Sequence, residues 1–190
     1  MLKYIHKGNL IAGLWVGFFT FFIALLVSLG SQALMDLVNN VLLAIIMLLL
    51  IIALGIGFDI VGTAAAAATL PPFNAKAAKK VYGAYQAVKI TRNASVVANY
   101  SCDVVGDVCG TVSGAIGAGI VASLINMYSL TNIILFGSMM TALIAALTVG
   151  GKAMGKKVAI DHAEQIIFKA GMVAAWWEGL TGIEIFKSRR

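Results

Sequence analysis

The chain has 190 residues, enough for one compact domain or a small helical bundle. Hydrophobic residues make up 61% of the chain, charged residues only 12%, and the mean hydropathy is +0.95. Because a soluble domain carries about twice that charged fraction, the composition excludes a soluble fold, a disordered chain and a secreted disulfide scaffold, and it indicates a membrane protein.

Four apolar stretches are each long enough to cross a bilayer, which takes about 20 helical residues. They cover roughly residues 11–29, 37–68, 95–125 and 132–149. All 14 Lys and Arg residues lie outside the short loops at residues 30–36 and 128–131, so both termini are predicted to be cytoplasmic. The sequence therefore predicts an all-α integral membrane protein of the plasma (inner) membrane, with four transmembrane helices.

The net charge of +6 follows from this distribution of basic residues and does not indicate nucleic-acid binding. Aromatic residues are not interleaved with a basic stripe, as they are on surfaces that bind nucleic acid. We therefore predict the lipid bilayer, and no nucleic acid, as a partner of this chain.

The linker between the second and third stretches is predicted to be helical and cytoplasmic. Pro71 and Pro72 are expected to end the second helix, because proline interrupts helical hydrogen bonding. Residues 75–90 then indicate one helix or a helix pair, and its apolar side is expected to carry Val81, Tyr85 and Val88.

The segment after the fourth stretch has the pattern of an amphipathic helix. Apolar and charged residues alternate at helical spacing over residues 156–177, which predicts a helix lying on the cytoplasmic membrane surface. Trp176 and Trp177 suit the lipid headgroup region.

Three carboxylates lie within the predicted spans, where ionisable side chains are costly and generally functional. These are Asp59, Asp103 and Asp107, and no Lys or Arg is expected in the spans to neutralise them. Asn99, Asp103 and Asp107 recur at every fourth residue and thus form one helical stripe, while Thr63 follows Asp59 by one turn. We predict that these five residues bind a metal ion. Their hard oxygen atoms favour Mg²⁺ above all, with Ca²⁺ or Na⁺ as alternatives.

Other interpretations of the same aspartates remain open. They can be protonated and hydrogen-bonded between helices, or they can form a proton relay, and a polar stripe can simply join protomers of a non-transporting scaffold. Intramembrane aspartyl proteolysis also uses paired aspartates, but the sequence before Asp59 is one residue too long for Gly-x-Gly-Asp. We predict no catalytic residue, no enzymatic activity and no organic cofactor.

From the second span onward, the order of helices resembles the transmembrane domain of the CNNM/CorC (CorB-like) magnesium exporters. Phe58 to Thr69 is similar to the small-residue break in the first core helix of that family. Asn93 to Gly110, reading NASVVANYSCDVVGDVCG, is similar to the start of its second core helix. The resemblance implies a homodimer that exports Mg²⁺, coupled to inward movement of Na⁺.

The resemblance also divides the predicted single membrane domain of residues 1–190. Residues 34–175 correspond to the core of the family, residues 1–33 add an N-terminal span, and residues 176–190 form a basic cytoplasmic tail. The nucleotide-sensing CBS domains of the family have no counterpart in these residues. Asp103 and Asp107 stand where the family more often has neutral side chains, so this site is expected to be more acidic.

Overall fold

The computed structural model describes residues 7–37, 40–128 and 132–182, which are almost entirely helical and contain no β-strand. In chain order the helices are α1 (Lys7–Leu37), α2 (Val41–Ala67), α3 (Leu70–Ala78), α4 (Ala84–Arg92), α5 (Ala94–Ala98), α6 (Gly106–Tyr128), α7 (Ile133–Asp161) and α8 (Ala163–Thr181). Within the described residues, four helices are long and apolar enough to cross a membrane. The predicted all-α membrane fold is confirmed.

The third spanning helix changes its hydrogen-bonding pattern near its start. α5 passes into a π-helical segment, Asn99–Val105, and α6 follows without interruption. Together they form one apolar helix from Ala94 to Tyr128, in agreement with the span predicted over residues 95–125. Because π-helical turns occur frequently at functional sites, the side chains around this segment are candidates for such a site.

The fourth spanning helix is longer than the sequence suggests. α7 continues to Asp161, whereas the predicted span ends at residue 149. The prediction of one amphipathic helix over residues 156–177 is therefore wrong at its start, because residues 156–161 belong to α7 and α8 begins at Ala163. Gly150 and Gly151 suggest a loop in the sequence, but glycine is well tolerated in a membrane helix that packs closely against a neighbour.

The linker forms a helix pair joined by a tight turn. α3 carries Pro71 in its first turn, where the missing N–H group is tolerated. The chain reverses between α3 and α4, with φ of 54° at Lys80 and 78° at Gly83. Of the three predicted apolar side chains only Val88 is buried, because Val81 lies in this turn and Tyr85 lies on the exposed side of α4.

The chain divides into two compact units. The first contains the described parts of Met1–Ile52 and Val108–Ala145, and the second those of Ala53–Asp107 and Ala146–Arg190. In the first unit, α6 and α7 pack closely at Gly117, where a Cβ atom would collide with the side chain of Ile144. The two helices border an apolar groove of about 430 Å³.

The second unit has a continuous hydrophobic core. Its buried members come from the ends of α2 and α7 and from α3, α4 and α8: Ala64, Ala65, Phe73, Ala87, Val88, Ile90, Ala159, Ala163 and Ile167. α8 packs against α4, and Gln86 Nε2 donates a hydrogen bond to Oε2 of Glu178 at 2.9 Å. This unit also contains every residue of the predicted metal site.

Candidate functional site

A lysine in the fourth spanning helix lies between two of the predicted site residues. The Nζ atom of Lys152 is 3.9 Å from Oδ1 of Asp59 in α2 and 3.7 Å from Oδ1 of Asp107 at the start of α6. The expectation that no basic residue lies within the spans is therefore wrong. It fails because α7 extends through Lys152 instead of ending at the preceding glycines.

Close packing between α2 and α7 places Lys152 beside Asp59. A Cβ atom at Gly151 would collide with the side chain of Ile56, and Gly155 packs against α2 in the same way. Small residues allow two membrane helices to approach each other. Gly151 and Gly155 therefore bring the α7 backbone close enough to α2 for the ammonium group of Lys152 to reach Asp59.

Asp59 is the most enclosed of the predicted site residues, with 5% of its surface exposed. Its Oδ1 atom faces Lys152, but 3.9 Å exceeds the hydrogen-bond range of about 2.7–3.2 Å. Its Oδ2 atom is buried and accepts no hydrogen bond from any residue that the structure describes. A buried oxygen without a partner costs about 1–3 kcal/mol and calls for an explanation such as a water molecule or an ion.

Asp107 pairs with Lys152 from the exposed surface of its helix. The side chain of Asp107 is 75% exposed, whereas that of Lys152 is 22% exposed. The neighbouring Gly106 leaves room for the ammonium group, since a Cβ atom there would lie 3.2 Å from Nζ of Lys152. Of the two carboxylates that face Lys152, Asp59 is thus buried and Asp107 is exposed on the surface of α6.

Asn99 and Asp103 form a separate polar pair. Nδ2 of Asn99 donates a hydrogen bond to Oδ2 of Asp103 at 3.1 Å, and both residues are exposed in the π-helical segment. The predicted stripe of Asn99, Asp103 and Asp107 is exposed along its length. Within the described residues, however, Lys152 makes ion pairs with Asp59 and Asp107 and none with Asp103.

Thr63 lies beside a cysteine that the sequence did not single out. Sγ of Cys102 donates a hydrogen bond to the backbone carbonyl oxygen of Asp59 at 3.5 Å, and its side chain also neighbours Thr63. A Cβ atom at Gly62 would lie 2.5 Å from Sγ, so glycine is required for this close contact. A cysteine within an apolar run resembles a small hydrophobic residue, which is why no sequence pattern indicated this contact.

Thr148 is a second polar residue near this region that the sequence analysis missed. Its Oγ1 atom is buried without a hydrogen-bond partner among the described residues, and it precedes Lys152 by one turn of α7. The spacing of Thr148 and Lys152 on one helical face was the available signal. It was obscured because Gly150 and Gly151 made the helix appear to end between them.

The three charged side chains form a compact arrangement with a net charge of −1 when all of them are ionised. Two carboxylates share one ammonium group, and one oxygen of Asp59 has no described partner. Across residues 7–37, 40–128 and 132–182, no three His, Cys, Asp or Glu side chains are grouped closely enough to hold a metal ion. The arrangement is suited to an ammonium group or to a cation that keeps several water ligands, as Mg²⁺ usually does.

Comparison with known proteins gives no match for this chain, whether with protein-family models, with curated protein sequences or with solved structures.

Proposed function

We propose that this protein transports a hard cation across the membrane, with Mg²⁺ as the substrate. The observation that carries the proposal is Asp59, a nearly fully buried carboxylate in a spanning helix whose Oδ2 atom has no described partner. Ionisable residues inside membrane helices are costly, and they commonly mark substrate or ion pathways. Asp59 and Asp107 would be the principal ligands of the ion.

Charge balance favours a divalent ion at these two carboxylates. When Lys152 is displaced, Asp59 and Asp107 together carry two negative charges, which a divalent cation neutralises and a monovalent cation does not. Mg²⁺ loses its water reluctantly and is commonly held by one or two carboxylates together with retained water. Thr63 would assist from the next turn of α2, since its hydroxyl is another hard oxygen.

Asn99 and Asp103 would receive the ion before it reaches the buried carboxylate. They lie about two turns and one turn before Asp107 on an exposed face, and the two side chains are joined by a hydrogen bond. Such a pair attracts a hydrated cation without removing its water. The ion would then pass along the same face to Asp107 and from there to Asp59.

The proposal includes the membrane arrangement and assembly that the sequence suggests. Both termini and the basic helices α3, α4 and α8 would lie in the cytoplasm, and the chain would be a homodimer in the plasma (inner) membrane. The resemblance to CNNM/CorC-type transmembrane domains favours export of Mg²⁺ in exchange for Na⁺. That resemblance depends on the segments Phe58–Thr69 and Asn93–Gly110.

Flux of Mg²⁺ through the purified protein in proteoliposomes tests this function. We expect wild-type protein to accelerate Mg²⁺ movement, faster with an opposing Na⁺ gradient, and Asp59→Asn to abolish the movement. Asp161→Asn is the matched control, because Asp161 is an exposed carboxylate at the end of α7, two turns beyond Lys152. Wild-type protein that moves no Mg²⁺, or an Asp59→Asn variant with full flux, would contradict the proposal.

The oligomeric state of the same variants separates transport from a scaffold role. A transporter with Asp59 and Asp107 replaced by Asn should remain assembled in cross-linking and light-scattering measurements while flux is lost. If the double variant instead becomes monomeric and wild-type protein shows no flux, the polar residues serve assembly and the transport proposal is wrong.

A further inference from the structure

We infer that Lys152 is a built-in substitute for the transported cation. Its ammonium group neutralises Asp59 and Asp107 when the site holds no ion, and it withdraws when the ion binds. This inference rests on the proposed cation transport through the same two carboxylates. Lys152 is not one of the five residues predicted to bind the ion, so this role is an addition to the predicted site.

The first argument is the charge of the empty site. Without Lys152, Asp59 would carry a buried negative charge inside a spanning helix with no ammonium group beside it. A buried charge without a counter-ion is strongly unfavourable, so a transporter with such a site would rarely change conformation without a bound ion. The ammonium group removes most of that charge and keeps the empty state accessible.

The second argument is that the ammonium group and a divalent cation exclude each other. Nζ lies within 4 Å of both carboxylates, so a cation bound by Asp59 and Asp107 would have to occupy nearly the same space. With both present, the net charge would change from −1 to +1, and the two cations would repel each other at short range. With Lys152 displaced, a divalent ion makes the two carboxylates neutral.

The third argument is the looseness of the contacts. The distances from Nζ to the two Oδ1 atoms, 3.9 Å and 3.7 Å, are those of ion pairs without a hydrogen bond. Lys carries its charge on a flexible four-carbon chain, and the Lys152 side chain is 22% exposed, so it has a route away from the carboxylates. The absence of a Cβ at Gly106 keeps the space beside Nζ open.

The fourth argument is the unused oxygen of Asp59. The ammonium group faces only Oδ1, and Oδ2 remains buried without a partner in the described part of the chain. A lysine that served only as a structural counter-ion would be expected to satisfy the carboxylate that it neutralises. An ion with its water ligands can engage both oxygens, which means that the site is more complete with the ion than with Lys152.

Binding measurements on the full-length chain in detergent or nanodiscs test the exchange. Mn²⁺, observed by electron paramagnetic resonance, is the probe, and Mg²⁺ is the competitor. We expect Lys152→Met to bind Mn²⁺ about tenfold more tightly than wild type, because the internal competitor is gone. Lys152→Arg should bind it more weakly, since the planar guanidinium holds carboxylates with two parallel hydrogen bonds.

Lys156→Met is the matched control, because Lys156 is exposed on the same helix one turn further along and should leave Mn²⁺ affinity unchanged. A second measurement uses only wild-type protein, so it does not depend on the folding of any variant. An amine-reactive label should modify Lys152 faster when Mg²⁺ is present, and Lys156 at the same rate with or without it.

The outcomes distinguish this inference from the proposed function. If Asp59→Asn abolishes Mn²⁺ binding, but Lys152→Met binds no more tightly and Mg²⁺ does not accelerate labelling of Lys152, the exchange is wrong and transport stands. If wild-type protein and Lys152→Met both bind no divalent ion, the proposed function itself fails.

Discussion

Gly171 in α8 packs directly against the carbonyl oxygen of Gly83 at the start of α4. A Cβ atom at residue 171 would lie 2.5 Å from that oxygen and 2.8 Å from the backbone nitrogen of Ala87. Both neighbours belong to the backbone and cannot rotate away. The contact between α4 and α8 therefore depends on the absence of a side chain at this position.

Replacing Gly171 with Ala should destabilise the second unit by about 1–3 kcal/mol, because the added methyl group forces the two helix backbones apart. The measurement is thermal unfolding in detergent, followed by circular dichroism. Gly179→Ala is the control, since a Cβ atom there meets nothing within 4 Å. The control should be as stable as wild type or slightly more so, because Ala favours the helix. Equal melting temperatures for Gly171→Ala and wild type would contradict this packing.

Much of the fold was predictable, because it depends on the length and apolar character of the segments. A run of about 20 apolar residues has few alternatives to a spanning helix in a membrane. The third span shows this clearly, since the prediction and the helix from Ala94 to Tyr128 nearly coincide. The basic helix pair was likewise indicated by Pro71 and the polar residues that follow.

The site was less predictable, because it depends on contacts between distant segments. The acidic residues were visible as charges in apolar runs, but the predicted fourth span ended at residue 149 and left Lys152 outside the membrane. Whether a glycine pair ends a helix or permits close packing depends on the neighbouring helix, which a single sequence does not reveal. Lys152 therefore looked like one more cytoplasmic lysine, and the enclosure of Asp59 was visible only in three dimensions.

Gly151 should be essential for bringing Lys152 to Asp59, whereas its neighbour Gly150 should not. A Cβ at Gly151 collides with Ile56, and a Cβ at Gly150 meets nothing within 4 Å. We expect Gly151→Leu to separate α2 from α7, to lower the melting temperature and to reduce Mg²⁺ flux severalfold. Gly150→Leu should change neither property appreciably. If both variants behave alike in unfolding and flux measurements, close packing at residue 151 does not position the lysine.

Single and double replacements should reveal the coupling between Asp59 and Lys152. Lys152→Met removes the ammonium group that faces the buried Asp59 carboxylate and should cost about 3–5 kcal/mol. Asp59→Asn should cost less, because Asp107 still pairs with Lys152. The double variant should be more stable than Lys152→Met alone, since it no longer holds a buried carboxylate charge at residue 59. Thermal unfolding of all four proteins without divalent ions gives the comparison, and strictly additive losses would show that the pair is not coupled.

Added Mg²⁺ should selectively rescue the lysine variant. If the ion replaces the ammonium group, Mg²⁺ should raise the melting temperature of Lys152→Met more than that of wild type, because binding to the folded state stabilises it. Ca²⁺ and Na⁺ can be compared in the same assay to rank the ions. A Lys152→Met protein whose melting temperature does not respond to any of these ions would count against a cation site between the carboxylates.

The membrane orientation can be measured with single cysteines. In a background lacking Cys102 and Cys109, we expect a cysteine at Asn132 to react with an impermeant maleimide on intact cells. A cysteine at Lys79, exposed between α3 and α4, should react only after the cells are opened, because basic segments remain in the cytoplasm. The reverse pattern would place α3, α4 and α8 outside and would overturn the proposed direction of transport.

The exposed side of α8 should lie at the membrane surface. Val173, Trp176, Trp177 and Leu180 are exposed at spacings of three and four residues, which forms an apolar stripe along the helix. Because α8 also packs on α4 through Gly171, this stripe faces away from the protein core, and tryptophan favours the lipid headgroup region. In a Trp15→Phe background, lipids brominated near the headgroup should quench the remaining fluorescence more strongly than lipids brominated near the chain ends.

Replacing Trp176 and Trp177 with Gln should reduce the affinity of the isolated α8 peptide for vesicles, whereas Gln165→Ala, a change on the polar part of α8, should not. Fluorescence that is insensitive to both kinds of brominated lipid would show that α8 does not contact the bilayer.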